Sequence, residues 1–222
     1  RFSKSAMTTD TGACTEYPRS DNTACTDDGT ICTNDVCRAG SCTHDPVLMS
    51  CKDPAPNGST LSLKRLDPAK ATLVWRWGHG DPTTLGELGD VFNDGASDYT
   101  LCGFDRSGPG GAYALAFSIQ APAGGVCGKR PCWTPKGVKI RYRDRERTPD
   151  GADTLELVSG GLGAAKIAMT AKAANLTLPA GPLAPDVHLQ LRRDDDDTAC
   201  WEAVFQTNVR TNSPSVFKAK SD

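Results

Sequence analysis

Apolar and polar residues alternate along most of the chain after residue 60. The clearest case is Tyr113, Leu115, Phe117 and Ile119, between which the chain places alanine and serine. A period of two puts alternate side chains on opposite faces of an extended chain, so the pattern predicts short, half-buried β-strands. The same period recurs in further segments, whose apolar positions are Leu61 and Leu63; Leu73, Trp75 and Trp77; Val138, Ile140 and Tyr142; Leu155 and Leu157; Ile167 and Met169; Val187, Leu189 and Leu191; Trp201, Ala203 and Phe205; and Val216.

Sequences rich in glycine and proline separate these segments. They fall at residues 78–82, 108–111, 148–151, 160–163 and 179–182. The alanine-rich residues 164–174 also suit a helix, but they lie between two such turns inside the alternating series, which favours a strand. Many short antiparallel strands with one buried face predict a mainly β fold, in which residues 61–222 form an antiparallel, jelly-roll-like β-sandwich.

The first quarter of the chain has a different composition. It contains few aliphatic side chains and six of the ten cysteines, namely Cys14, Cys25, Cys32, Cys37, Cys42 and Cys51. A segment that cannot bury a core needs covalent cross-links or a metal. Residues 14–52 are therefore predicted to form a small disulfide-rich module. Residues 1–13 are predicted to be a flexible arm, and residues 53–60, with two prolines and a glycine, a linker.

The other four cysteines are Cys102, Cys127, Cys132 and Cys200. Zinc is the main rival to disulfides, but structural zinc sites favour Cys-x2-Cys pairs, and the chain has none. An even number of cysteines in each block predicts that each domain closes its own disulfides. Within the second block, two pairings remain open: Cys127–Cys132 with Cys102–Cys200, and Cys102–Cys127 with Cys132–Cys200.

Charge and hydropathy limit the partners. With 25 basic and 27 acidic residues, the net charge is −2, which gives no electrostatic reason to bind nucleic acid or an anionic membrane. No apolar run approaches the roughly 20 residues that span a bilayer. Because many cysteines in a disulfide pattern are typical of proteins outside the cytosol, we expect a secreted or cell-surface protein.

Two acidic clusters offer oxygen ligands for a cation. Asp27, Asp28 and Asp35 lie with Asn34 in a glycine-containing loop, where calcium could find several oxygens. The other interpretation is that these side chains cap turns. The second cluster, residues 194–197, consists of four aspartates and suits either a cation site or a solvated hairpin tip. Calcium, at Asp27, Asp28 and Asp35, is the only cofactor that the sequence suggests.

The densest aromatic cluster consists of Trp75, Arg76, Trp77 and His79. Exposed tryptophan rings stack on sugars, and arginine stacks on aromatic rings, so one interpretation is a glycan-binding site. Trp75 and Trp77 also share one strand face with Leu73, and that alternation favours a core position.

A basic run occupies residues 136–147. Alternation places Lys139, Arg141 and Arg143 opposite the apolar positions of the same segment. The result is a positively charged strand face, which suits a polyanion, an acidic partner or simple solvation.

Catalytic motifs are few. The three histidines are His44, His79 and His188, and the chain has no Gly-x-Ser-x-Gly, no His-Glu-x-x-His and no phosphate-binding glycine loop. We therefore predict that the protein is not an enzyme.

Residues 25–44 resemble a short module, Cys-x-Asp-Asp-Gly-x-x-Cys-Thr-x-Asp-x-Cys…Gly-x-Cys-x-His, that recurs in secreted and surface-anchored bacterial proteins of unknown function. The following part is similar to β domains found beside that module, through residues 99–102, 129–133, 148–151 and 200–203. The resemblance implies an extracellular setting and no catalytic residue. The matching positions in the module are Cys25, Asp27, Asp28, Gly29, Cys32, Thr33, Asp35, Cys37, Gly40, Cys42 and His44.

Together these features predict a structural or adhesive protein, a building block of an extracellular assembly that associates with itself or with a protein partner. Edge strands and the arm would supply the contacts by strand addition. One alternative is a carbohydrate-binding module, whose partner is a glycan. Another is an accessory domain of a secreted hydrolase.

Overall fold

The computed structural model describes Cys14 and residues 20–173, 175–196 and 198–222. The predicted arm, residues 1–13, lies outside the described residues. Two compact units divide between Val47 and Leu48. Cys51 and residues 53–60 therefore belong to the second unit, whereas the sequence analysis assigned them to the first module and to a linker.

The first unit is built on one β-hairpin. Strand β1 (Thr33–Arg38) pairs antiparallel with β2 (Ser41–Pro46), and Ala39 and Gly40, both with positive φ, form the two-residue turn between them. A two-stranded ribbon has too little buried surface to be stable by itself. The disulfides Cys14–Cys37 and Cys25–Cys42 supply cross-links in this unit.

The regular secondary structure of the second unit is almost entirely β-strand. Its short 3₁₀ turns are Pro68–Lys70, Gly86–Leu88 and Pro109–Gly111. Its strands are β3 (Ser59–Lys64), β4 (Thr72–Gly78), β5 (Tyr99–Asp105), β6 (Ala114–Ala121), β7 (Val126–Cys127), β8 (Arg130–Pro131), β9 (Trp133–Lys136), β10 (Lys139–Arg143), β11 (Ala152–Val158), β12 (Lys166–Lys172), β13 (Val187–Arg193), β14 (Cys200–Phe205), β15 (Val209–Asn212) and β16 (Val216–Lys220).

These strands form two main antiparallel sheets. The larger has eight strands in the order β15-β16-β3-β4-β12-β11-β10-β9, and the smaller has four in the order β14-β13-β5-β6. Buried side chains from both sheets, such as Trp75, Leu157, Leu101 and Leu189, form one apolar core. The predicted mainly β, antiparallel sandwich fold is confirmed, and the alanine-rich segment is strand β12.

The described cysteines are all oxidised to disulfides. Cys127 is bonded to Cys132, which is one bond of the first of the two pairings that the sequence left open. Cys200, however, is bonded to Cys51, across 149 positions of sequence. Both predicted partners of Cys200 were therefore wrong, because evenness within each block carries no information about which cysteines the fold brings together. No thiolate remains among the described residues to ligate zinc.

Among the described residues, none of the helical segments has the length and apolarity that crossing a bilayer requires.

Candidate functional site

Trp75 and Trp77, for which a glycan-binding site was one interpretation, lie in the core, as their alternation with Leu73 favoured. Trp75 is 0% and Trp77 1% exposed, so neither ring has a free face on which a sugar could stack. This interpretation of Trp75 and Trp77 was wrong, because the alternation with Leu73 turns both rings towards the opposite sheet. Arg76 and His79 are exposed, and with the edge of Trp77 they line a shallow depression of about 390 Å³.

Each of the four indole N–H groups has a hydrogen-bond partner. Trp77 Nε1 donates to the carbonyl oxygen of Glu202 at 2.9 Å, and this bond joins β4 of the larger sheet to β14 of the smaller. The other three donate to Ser59 Oγ (Trp75, 2.9 Å), the Pro122 carbonyl oxygen (Trp133, 2.7 Å) and Thr83 Oγ1 (Trp201, 2.9 Å). A buried indole N–H without an acceptor would destabilise the fold. All four indole N–H groups avoid that cost.

The aspartates predicted to hold calcium are engaged within the first unit. Asp27 Oδ1 accepts the Gly29 amide at 2.7 Å, and Asp28 accepts the amide of Thr30 at 3.1 Å and the hydroxyl of Thr33 at 2.9 Å. These bonds are the turn-capping alternative. Calcium at Asp27, Asp28 and Asp35 stays a prediction.

A histidine joins this acidic cluster. His44 Nδ1 lies 2.5 Å from Asp35 Oδ1 and 3.6 Å from Asp28 Oδ2, and Asp35 Oδ2 also accepts the Asp28 amide at 3.1 Å. Asp28, Thr33, Asp35 and His44 therefore meet in one hydrogen-bond network. The hydrogen bond to Asp35 raises the pKa of His44.

His188 has the opposite environment. It lies on β13, its ring stacks on Tyr113 with centroids 5.6 Å apart, and its Nδ1 is buried without a hydrogen-bond partner among the residues that the structure describes. Burial lowers the pKa of His188, against the attraction of Glu202, Asp186 and Asp53.

We expect the two histidines to titrate on opposite sides of the ordinary value of about 6.5. His44 stabilises the fold below that pH, and its contribution is lost as pH rises through the higher folded-state pKa. His188 does the reverse, because stability is lost as pH falls from about 6.5 towards the lower folded-state pKa. Ring proton shifts measured by NMR across this range, assigned with His44→Gln and His188→Gln, would report both. A His188 midpoint above that of His44 would contradict the structure.

The aspartate run between β13 and β14 is a hairpin tip held by its own contacts. Asp195 accepts two bonds from the Arg193 guanidinium, at 2.9 and 2.6 Å, and a third from Ser97 Oγ at 2.9 Å. Asp194 accepts the Asp98 amide at 2.9 Å. Asp196 caps the turn at Thr198, and the fourth aspartate, residue 197, lies outside the described residues.

A buried polar network beside β13 was not predicted from the sequence. Gln190 and Arg192 stand at the polar positions of the alternating strand β13, which usually face solvent. Both are nevertheless buried, at 0% and 2% exposed. Gln190 Nε2 donates to Glu202 Oε2 at 2.7 Å and to the Met49 carbonyl oxygen at 2.6 Å. Burial lowers the pKa of Arg192 to about 10. Periodicity could not detect this network, because alternation records polarity and not whether a face is covered.

Three of the four edges of the sandwich carry devices against further strand pairing. Strand β9 contains Pro135 and a lysine, and the four-residue β15 contains Arg210. Along β14, the amide of Lys52 donates to the Cys200 carbonyl oxygen at 3.0 Å, and the Glu202 amide donates to the Lys52 carbonyl oxygen at 2.9 Å. Charges, prolines and a covering segment are the usual means by which proteins protect sheet edges.

The fourth edge, strand β6, has no charge, proline or paired segment of its own, and Asp150 covers it only at Gln120. Its eight residues, ALAFSIQA, contain neither charge nor proline, and no described strand pairs beyond it. The Gln120 amide points away from β5, because it donates to Asp150 Oδ2 at 3.3 Å. Ser118 lies two residues earlier in the same register, so its amide also points outwards.

A cationic cleft of about 600 Å³ lies along β9 and β10. Arg141, Arg143 and Arg145 line it together with Lys129 and Arg130 of the loop closed by the Cys127–Cys132 disulfide. The basic face of β10 was predicted from the sequence. That the disulfide-closed loop lies beside it and lines the same cleft was not predicted.

No family model, no curated protein and no solved structure matches this chain.

Proposed function

We propose that the protein is a secreted or cell-surface structural or adhesive protein, a building block of an extracellular assembly without catalytic activity of its own. The disulfides support the location, because such bonds persist in oxidising compartments and are rare in the cytosol. The resemblance of residues 25–44 to a module of bacterial surface proteins points the same way.

The observation that carries the proposal is the open edge of β6. An edge strand presents a row of backbone donors and acceptors, and an uncharged, proline-free strand of this length is a template for pairing with another chain. Since β9, β14 and β15 are each protected and β6 is covered only at Gln120, the contrast within one sandwich favours β6 as the docking edge. The occupant that we propose is an extended segment of a second copy of this chain.

A lysine placed on this edge should abolish self-association. Ser118→Lys puts a charged side chain beside the outward amide of β6, which opposes pairing of a further strand. We expect the wild-type protein to form oligomers whose mean mass, measured by light scattering, rises with concentration. The Ser118→Lys variant should remain monomeric over the same range.

The matched control is Thr211→Lys, which adds the same charge to the exposed face of β15, an edge that already carries Arg210. This variant should associate as the wild type does. Circular dichroism would establish that both variants are folded. A wild-type protein that stays monomeric at every concentration, or a control that dissociates as fully as Ser118→Lys, would rule out β6 as the assembly edge.

A further inference from the structure

The cationic cleft along β10 concentrates five positive side chains around one depression. Arg141 and Arg143 occupy the solvent face of β10, while Ile140 and Tyr142 of the same strand are buried. Two residues of a strand span about 6.8 Å, so the guanidinium groups follow one another at regular intervals. Arg145 continues the row past the end of the strand.

These cations form no ion pair in the described part of the chain, and Glu156, which lies opposite Arg141, pairs with Lys139 instead. Among the described residues, none of Lys129, Arg130, Arg141, Arg143 and Arg145 lies within 4 Å of a carboxylate, although other basic side chains of the sandwich form ion pairs. No carboxylate lines the cleft. Five like charges on low-dielectric walls raise the local concentration of anions.

The nearest carboxylate along the strand is already committed. Asp144 is 2% exposed, and it accepts the amides of Glu146 and Thr148, both at 2.8 Å. It therefore holds the turn after β10 and does not face the cleft. The positive potential of the cleft stays open to an external partner.

The backbone holds the cleft in place. The Arg143 amide donates to the Cys132 carbonyl oxygen at 2.8 Å, and Cys132 is bonded to Cys127, so the loop that carries Lys129 and Arg130 is fixed against β10. A preformed site loses less conformational entropy when a ligand binds.

The side chains that line the cleft favour one class of polyanion over the others. Protein interfaces need an apolar, aromatic-rich centre, and single-stranded nucleic acid needs exposed aromatic rings for stacking. This lining has neither, because Trp133, the nearest aromatic side chain along β9, is 2% exposed. Its remaining groups are glycine, proline, a disulfide and Thr134. Carboxylate or sulfate groups on a hydroxyl-rich chain need only charge and hydrogen bonds.

We infer that this cleft binds an anionic polysaccharide, whose carboxylate or sulfate groups pair with the arginine row of β10. None of the residues that line the cleft belongs to β6. It also differs from the depression beside Trp77, which contains both acidic and basic side chains.

Calorimetric titration with defined polymers tests the inference. The probes are dextran sulfate, polygalacturonate and neutral dextran, each at low and at physiological salt. Dextran sulfate or polygalacturonate, or both, should bind, neutral dextran should not, and affinity should fall as salt rises. The two anionic probes distinguish a sulfate-bearing from a carboxylate-bearing ligand.

Variants locate the site. Arg141→Gln/Arg143→Gln should weaken binding about tenfold, at the upper end for two exposed charge pairs. Arg141→Lys/Arg143→Lys should retain most of the affinity, because the charge is kept. Arg210→Gln/Lys218→Gln removes the same charge from exposed positions of β15 and β16 and should leave affinity unchanged. Circular dichroism would check that each variant is folded.

The result that overturns the inference is equally specific. Absence of binding to both anionic polysaccharides, or equal losses in the cleft and control variants, would exclude this site. Tighter binding of polyglutamate or single-stranded DNA than of either polysaccharide, lost in Arg141→Gln/Arg143→Gln, would assign the cleft to an acidic protein or a nucleic acid instead.

Discussion

Replacing both Cys51 and Cys200 with serine is expected to lower the free energy of unfolding by about 2–5 kcal/mol. The bridge closes a loop with a sequence separation of 149, and a cross-link over so long a loop restricts the unfolded chain strongly. It also holds residues 50–52 along β14, where Lys52 exchanges two backbone hydrogen bonds with that strand. Changing both cysteines together avoids leaving a reactive thiol.

Equilibrium denaturation in urea measures this loss, and the chain supplies its own control. Cys127→Ser/Cys132→Ser removes a bridge with a sequence separation of only 5, so the loss of unfolding free energy should be clearly smaller. The midpoint should shift in both variants with little change in slope. A loss in the control that equals or exceeds the loss in the long-bridge variant would contradict the expectation that the longer loop gives the larger stabilisation.

The sandwich could be predicted because its signal is local. Strand β13 alternates Val187, Leu189 and Leu191 with polar residues, and the three apolar side chains are all buried. The same argument identified β12 despite its alanine content. Short edge strands escaped prediction, since the four residues of β15 include no run of alternating apolar side chains.

The long disulfide could not be predicted, because pairing depends on which chain segments meet in space. Cys51 looked like the last cysteine of the module by sequence distance alone. Instead, it lies beside β14 of the sandwich, and only the course of the backbone after Val47 shows this. The same limit applies to Gln190. Its polar position in the alternation of β13 suggested that its side chain faces solvent, but the side chain is buried.

For the candidate sites too, the sequence predicted which residues share a strand face, but not which other segments lie beside them. Alternation placed Arg141 and Arg143 on one face of a strand, but the loop that completes the cleft reaches it through the register of β9 with β10 and the Cys127–Cys132 bond. Likewise, the spacing of Asp28 and Asp35 suggested a shared ligand. Only the pairing of β1 with β2, which sets Asp35 opposite His44, shows that their partner is an imidazole.

Replacing Trp77 with alanine should cost about 3–5 kcal/mol of unfolding free energy, as large aromatic truncations in a core do. The side chain is 1% exposed, and the loss combines a cavity between the sheets with an unpaired Glu202 carbonyl group. Trp77→Phe should cost less, because it keeps most of the apolar volume and loses chiefly the hydrogen bond. Urea denaturation of the two variants and the wild type measures both losses.

Arg76→Ala is the matched control, because Arg76 is the exposed neighbour of Trp77 on the opposite face of β4. A surface truncation away from special contacts changes stability little. If Trp77 served a glycan at the surface, Trp77→Ala would leave the urea midpoint near that of the wild type and remove binding to neutral sugars. The structure requires the opposite order: a large fall in stability for Trp77→Ala, an intermediate fall for Trp77→Phe and almost none for Arg76→Ala. That order follows because Trp77 alternates in phase with Leu73. Its indole therefore packs in the core, and the side chain of Arg76 on the opposite face of β4 is the one that meets solvent.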